Sequence, residues 1–192
     1  MLQRPGDING LLDQLEEKSR QNPADLDLLQ RLSRLYVRNG NNLEAEAVIE
    51  RILKIDPDNV QMMVELADCQ IRRGAYEDAT YNIERALELR PGMTSAFIAM
   101  ARLFEAQGSV EKQVSFMMRA ANAAPEKVEI RLSLAEILKR YGDISGAIAQ
   151  YKMILEHRPD FEAALFSLGT LQLRQNEVSA AVACFRRIIS NN

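Results

Sequence analysis

The sequence predicts an all-α protein built of stacked antiparallel helix pairs, and three observations predict it. Proline recurs at Pro23, Pro57, Pro91, Pro125 and Pro159, every 34 residues. Gly40, Gly74, Gly108 and Gly142 keep the same interval. The next place in that series is held by Asn176, of the other residue type that readily accepts a left-handed backbone. Between these marks apolar residues recur at spacings of three and four, the period of one helix face. A fixed interval of this length means one supersecondary unit repeated along the chain.

Taken in order, residues 1–25 read as a short tail and an unpaired helix. Residues 8–21 fit the second helix of a unit, with Leu11 in a small-residue register, Leu15 in a large one, and Pro23 as the stop. Five units follow, 26–59, 60–93, 94–127, 128–161 and 162–192, forming one continuous array with 8–25. The first helix of each, helix A, carries Leu32, Leu66, Met100, Leu134 and Leu168, each followed by a small residue: Ser33, Ala67, Ala101, Ala135 and Gly169. A small side chain there lets a second helix approach closely. Leu29, Met63, Phe97, Arg131 and Leu165 lie three residues upstream, and the stripe continues to Tyr36, Gln70, Phe104, Leu138 and Gln172.

The glycine series then ends helix A with a left-handed residue. Asn41, Ser109 and Asp143 follow it as N-caps for helix B, and Glu44 completes a capping-box spacing with Asn41. Helix B has its own small series, Ala45, Ala79, Gln113, Ala147 and Ala181, then Ile49, Ile83, Met117, Tyr151 and Phe185, then Ile52, Ala86, Ala120, Ile154 and Ile188. Proline stops it, because it disfavours helix in the residue before it. Gln113 and Arg131 break the pattern with polar groups, so looser packing is expected near the junction of the third and fourth units.

This pattern resembles the tetratricopeptide repeat (TPR), most clearly in Leu66-Ala67, Ala79, Ala86 and Pro91, and in Leu134-Ala135, Ala147, Tyr151 and Pro159. The resemblance covers residues 8 to 192. It implies a right-handed superhelical solenoid of five repeats plus one N-terminal helix, with helices A lining a concave groove. It implies a non-enzymatic scaffold that binds a peptide or protein segment there. The groove register is Gln30, Val64, Ile98, Leu132 and Phe166, four of them apolar. One turn on come Arg34, Asp68, Arg102, Glu136 and Thr170, and Ile71 lies further along its helix. Such a surface suits a segment with regularly spaced apolar side chains. The same series also fits a core edge packed against the next helix A, and both readings stand. Val37, Arg38, Arg72, Lys139 and Arg174 lie nearby; cations at helix C-termini complement the helix dipole. The Lys and Asn clamp by which chaperone-binding members grip a terminal carboxylate is missing: Gln30, Arg34, Glu65, Gln61 or Ser95, and Ala99 stand at the corresponding places.

Composition narrows the classes. Apolar residues make up 47% of the chain, which argues against disorder. The 24 basic and 27 acidic residues leave a charge of -3, so no basic excess points to nucleic acid. No apolar run is long enough for membrane insertion, and the opening MLQRPGDING lacks the apolar core of a secretory signal. Cys69 and Cys184 fall in different repeats and read as small apolar residues, which favours a reducing, cytoplasmic setting, with a periplasmic or membrane-associated one as the alternative if the full-length protein carries a signal. His157 is the only histidine, so no metal site, catalytic group or cofactor site is expected. The carboxylates, Glu16-Glu17 among them, read as solvated, and the eight methionines as gap-filling core.

Two features of the ends bear on function. The last helix carries Val178, Val182, Phe185, Ile188 and Ile189 with no capping helix after it. Repeat arrays need polar caps, so the chain reads either as a fragment of a longer protein or as a homo-oligomer joined through that helix. A further alternative is the repeat segment of a larger enzyme or of a bacterial secretion or pilus-assembly machine. The Asp56-Pro57-Asp58 junction and the insertion-free register resemble bacterial members.

Overall fold

A computed structural model of the chain describes residues 5–190, with side chains from Ile8 onward. The expectations for the first four residues and for Asn191 and Asn192 lie outside the described residues. The described residues form eleven α-helices: α1 (Pro5–Gln21), α2 (Leu26–Asn39), α3 (Asn42–Ile55), α4 (Val60–Arg73), α5 (Tyr76–Leu89), α6 (Thr94–Ala106), α7 (Val110–Ala123), α8 (Val128–Arg140), α9 (Ile144–His157), α10 (Glu162–Arg174) and α11 (Val178–Ser190).

The periodic marks act as local backbone physics. Each of α3, α5, α7 and α9 ends two residues before its proline. The intervening residues, Asp56, Arg90, Ala124 and Arg158, have φ of -127, -139, -140 and -130° and ψ of 83, 86, 68 and 83°. This is the non-helical region into which a following proline ring drives its neighbour. After helices A, Gly40, Gly74, Gly108 and Gly142 have φ between 71 and 87°, and Asn176 has φ 65°. That left-handed residue turns the chain from helix A into helix B. Side-chain caps form at Asp25, Asn59 and Asp143, whose oxygens accept from Leu28 N, Met62 N and Gly146 N. Asn41 and Ser109 occupy cap positions without a side-chain cap bond. Asn41 Oδ1 instead accepts from Asn39 Nδ2 at 3.2 Å, so the capping box with Glu44 does not form.

The chain divides into two compact units, residues 1–108 and 109–192, so the division falls inside the repeat that carries Gln113. In the first unit α1 packs on α2, α2 on α3, α3 on α4, α4 on α5 and α5 on α6, and α6 also meets α4 one repeat away. In the second unit α7 to α11 pack in the same sequential way. The small residues after the helix-A leucines and methionine are all buried, as is the small series of helix B. Gly169 shows why size matters there. A Cβ on it would sit 2.9 Å from Phe185 Cζ and 3.0 Å from Cε1, so the aromatic ring of α11 rests where a side chain would be.

Several expectations are corrected. Leu11 does not fill a small-residue niche: it is 40% exposed, while Leu12 next to it is 5% exposed. The helix α1 turns Ile8, Leu12, Leu15 and Ser19 inward. A leucine is too large for a site shaped by close approach, so the helix rotates by about one residue, near 100°. Met118 and Met153 are exposed rather than core, and Cys184 is only half-buried; both cysteines are free. Glu16 is not merely solvated, since its Oε1 accepts a hydrogen bond from the Tyr36 hydroxyl.

Arg131 takes a buried position, 5% exposed, where other repeats place apolar residues or a phenylalanine. Its guanidinium donates to Ala121 O at 3.3 Å, to Gln150 Oε1 at 2.9 Å and to Met153 Sδ at 3.4 Å. Ala121 lies in the last turn of α7, whose end carbonyls have no partner within the helix. Arg131 therefore places its charge at the negative end of a helix dipole. Gln113 is buried as well, and its Oε1 has no hydrogen-bond partner among the described residues.

Candidate functional site

Each helix A carries residues buried in the core and residues left exposed or half-buried, and the second set builds the candidate surface. In the first unit these come from α2, α4 and α6. Arg34, Val37 and Arg38 share one face of α2 at spacings of three and four, and Glu65, Asp68 and Arg72 share one face of α4. Together these six line a depression of about 260 Å³. Arg34 also borders a second hollow with Asp27, Gln30 and Arg31, so Gln30 sits beside the depression.

The charges of this face are partly neutralised by the protein itself. Arg102 reaches back one repeat, and its NH1 donates to Asp68 Oδ2 at 2.7 Å. The other carboxylate oxygen of Asp68 is buried and has no partner among the described residues. Glu65 accepts from Gln61 Nε2 at 3.1 Å, one turn away on the same helix. Arg72 NH1 finds only the neutral Asn42 Oδ1, at 3.3 Å. Arg34 and Arg38 are exposed and form no ion pair with a described residue.

The apolar members of the groove register are placed unevenly. Val64 is 3% exposed and belongs to the core. Ile71 and Ile98 are half-buried, within reach of solvent. In the second unit Leu132 is half-buried, whereas Phe166 is 60% exposed and packs edge-on against Phe185, with centroids 6.1 Å apart. Phe166 and Thr170 line a small depression of about 130 Å³ with Lys139, Ser167, Leu171 and Arg174. Thr170 Oγ1 donates to Phe166 O at 2.8 Å, which occupies its hydroxyl proton.

Glu136 is exposed, and its carboxylate is held by two neighbours. Its Oε1 accepts from the Tyr151 hydroxyl and its Oε2 pairs with Lys139. Burial acts to raise this carboxyl, but the hydrogen bonds from Lys139 and Tyr151 outweigh it and hold it below its usual value. The phenols of Tyr36 and Tyr151 are pushed up, first by burial and then by the carboxylates they bond, Glu16 and Glu136. Burial likewise pushes the Cys69 thiol up to about 11, leaving a protonated, unreactive side chain.

The structure thus brings Arg34 and Asp68 together, ties Arg102 to Asp68, and sets Phe166 beside Thr170. Ile71, Ile98 and Leu132 line none of the depressions described above, and Val64 lies in the core. Val37, Arg38 and Arg72, which the sequence set beside the groove register, and Glu65, which it set at a place of the missing clamp, line the depression. Their spacing on two successive helices A was the available signal. Reading the arginines one per repeat, as dipole partners, hid it. No cluster of three His, Cys, Asp or Glu side chains fit to hold a metal occurs among the described residues. No described helix is long and apolar enough to cross a membrane.

Comparison with known proteins places this geometry. The tetratricopeptide repeat profile matches residues 31–94 and 132–192. No curated protein matches the chain in sequence. Among solved structures, a tetratricopeptide repeat protein from Parabacteroides merdae superposes with a TM-score of 0.67 at 16% identity, over 96% of this chain and 72% of that one. The MamA protein gives 0.65 at 18% identity, over 86% and 90% of the two chains. YrrB, a TPR protein with an unusual peptide-binding site, gives 0.59 at 15% identity, over 92% and 91%. At these identities the likeness is one of fold.

Proposed function

This chain belongs to the tetratricopeptide repeat family, whose fold is a scaffold for protein–protein interaction, and we propose that it acts without catalysis by holding a segment of a partner protein on its helix-A faces. The observation that carries this reading is the depression lined by Arg34, Val37, Arg38, Glu65, Asp68 and Arg72. Five of these six residues are charged, Val37 alone packs against the core, and they converge on one hollow of about 260 Å³. Ile71 and Ile98 extend the face with half-buried apolar surface. Phe166 offers the second unit an exposed aromatic anchor, the residue type that dominates binding energy at interfaces. The peptide-binding site of YrrB supports the same use of this fold.

The test is selection of binding peptides from a display library on residues 1–192, followed by titration against Ile71→Asp with Ile98→Asp. The selected peptides are expected to lose at least about tenfold in affinity, 1.4 kcal/mol, while the helical circular dichroism is kept. Unchanged affinity in the folded variant would remove the helix-A face as the site.

One observation favours a second reading. Val178, Val182 and Ile189 of α11 are exposed together, which supports self-association through that helix. Light scattering over a concentration series decides it, and a constant monomer mass refutes it.

A further inference from the structure

We propose that the depression formed by α2 and α4 recognises an acidic stretch of a protein partner, one that offers carboxylates to Arg34, Arg38 and Arg72 and an apolar side chain to Val37. The inference rests on the docking reading above and adds the chemistry of what docks. Its ground is a local charge that opposes the charge of the molecule. The whole chain carries -3. Asp27 shares the neighbouring hollow with Arg31 and Arg34; this depression is lined by three guanidinium groups, those of Arg34, Arg38 and Arg72, and by two carboxylates, those of Glu65 and Asp68.

Both of those acids already have partners: Asp68 has Arg102 at 2.7 Å and Glu65 has Gln61 at 3.1 Å. The positive excess therefore falls on Arg34, Arg38 and Arg72, the last of which donates to a neutral amide oxygen and forms no ion pair among the described residues. Arg38 and Arg72 stand in the last turns of α2 and α4, where a cation complements the dipole. Arg34 lies a full turn earlier, so helix termination does not account for it.

The planar guanidinium fork suits a carboxylate, which it can hold by two parallel bonds. The floor suits a peptide as well: Val37 is half-buried, and arginine stems add apolar cover under their charged heads. A densely charged polyanion such as a nucleic acid fits less well, because Glu65 and Asp68 stand in the same wall and repel it. Peptide carboxylates are separated along an extended chain by about 3.3 Å per residue and interleave with apolar groups, which matches a face of mixed character. Charge complementarity of this kind sets partner choice and association rate more than raw affinity.

The experiment uses residues 1–192 and three labelled decapeptides that share their leucines and differ only in carrying Glu, Gln or Lys at the remaining positions. Fluorescence anisotropy is read at about 50 mM and about 500 mM salt, a change that shortens the screening length from above 10 Å to a few Å. The Glu peptide is expected to bind about tenfold tighter than the Gln peptide at low salt. That preference is expected to vanish in Arg34→Glu with Arg72→Glu and to shrink at high salt, while the Lys peptide binds weakest. Arg34→Gln, at an exposed position, repeats the test if the double variant does not fold.

Equal binding of the Gln or Lys peptide overturns the acidic chemistry. If Ile71→Asp with Ile98→Asp still weakens that binding, the docking face survives without it. Glu-peptide binding untouched by either variant refutes both readings, and binding of no peptide by the parent overturns the proposal. Displacement of the Glu peptide by a single-stranded oligonucleotide at lower concentration than by unlabelled peptide reassigns the depression to nucleic acid.

Discussion

Replacing Gln113 by methionine is expected to make the protein more stable by about 1 kcal/mol. The other four repeats have alanine at this position, each fully buried, whereas Gln113 is 2% exposed and its Oε1 lacks a partner among the described residues. A buried acceptor left unsatisfied costs about 1–3 kcal/mol. Methionine keeps the length and nearly the volume of glutamine, and a volume-conserving exchange costs less than about 1.5 kcal/mol. The balance favours the variant. Alanine at the same place removes the stranded oxygen too, but it opens a void. At ~24 cal/mol per Å³, a void of about 50 Å³ costs about 1 kcal/mol and cancels most of the gain. The assay is urea unfolding followed by circular dichroism. With a slope near 3 kcal/mol per molar urea, at the upper end for small proteins, 1 kcal/mol moves the midpoint up by about 0.3 M. A midpoint that falls by that amount at unchanged slope refutes the reasoning, since it requires that the Gln113 oxygen is bonded in the folded protein.

Three further outcomes are expected. Leu12→Ala costs about 2–4 kcal/mol as a buried leucine truncation, while Leu11→Ala stays within about 0.5 kcal/mol; equal effects in thermal melts would restore the register read from sequence. Gly74→Ala, at φ 82°, costs about 1–2 kcal/mol because an L side chain is strained in that conformation, and a neutral result in urea unfolding would show that the turn relaxes. Tyr36 and Tyr151 ionise later than free tyrosine, near 10, because burial and the carboxylates of Glu16 and Glu136 oppose the phenolate. The folded state then binds more protons than the unfolded one above pH 10, so this contribution is complete below about pH 10 and is lost as pH rises through the raised values. Tyrosinate absorbance should show two of the five tyrosines ionising only with loss of helix; all five ionising together with the helices intact refutes it.

The fold was legible because its signals are local. A proline forces the residue before it out of helical space, and Asp56, Arg90, Ala124 and Arg158 obey that constraint wherever they sit in the array. The left-handed turns follow from glycine or asparagine at one place in the unit. The helix faces follow from a period of 3.6 residues. These three rules act within a few residues, so the chain alone decided where its helices start, stop and turn.

What depends on distant neighbours was decided only in three dimensions. The series Arg34, Asp68, Arg102 offers Asp68 a cation on either side, and packing chose Arg102, which left Arg34 with no ion pair among the described residues. Arg131 read as a flaw in an apolar stripe and became a cap on the end of α7, because the nearest unpaired carbonyl came from another helix. Leu11 and Leu12 exchange roles through the volume available beside α2, a quantity that no spacing encodes. The candidate site has the same origin. Arg38 and Arg72 lie where they suit helix ends and Arg34 a turn earlier, and they become a site where α2 and α4 bring more positive than negative charge to one hollow.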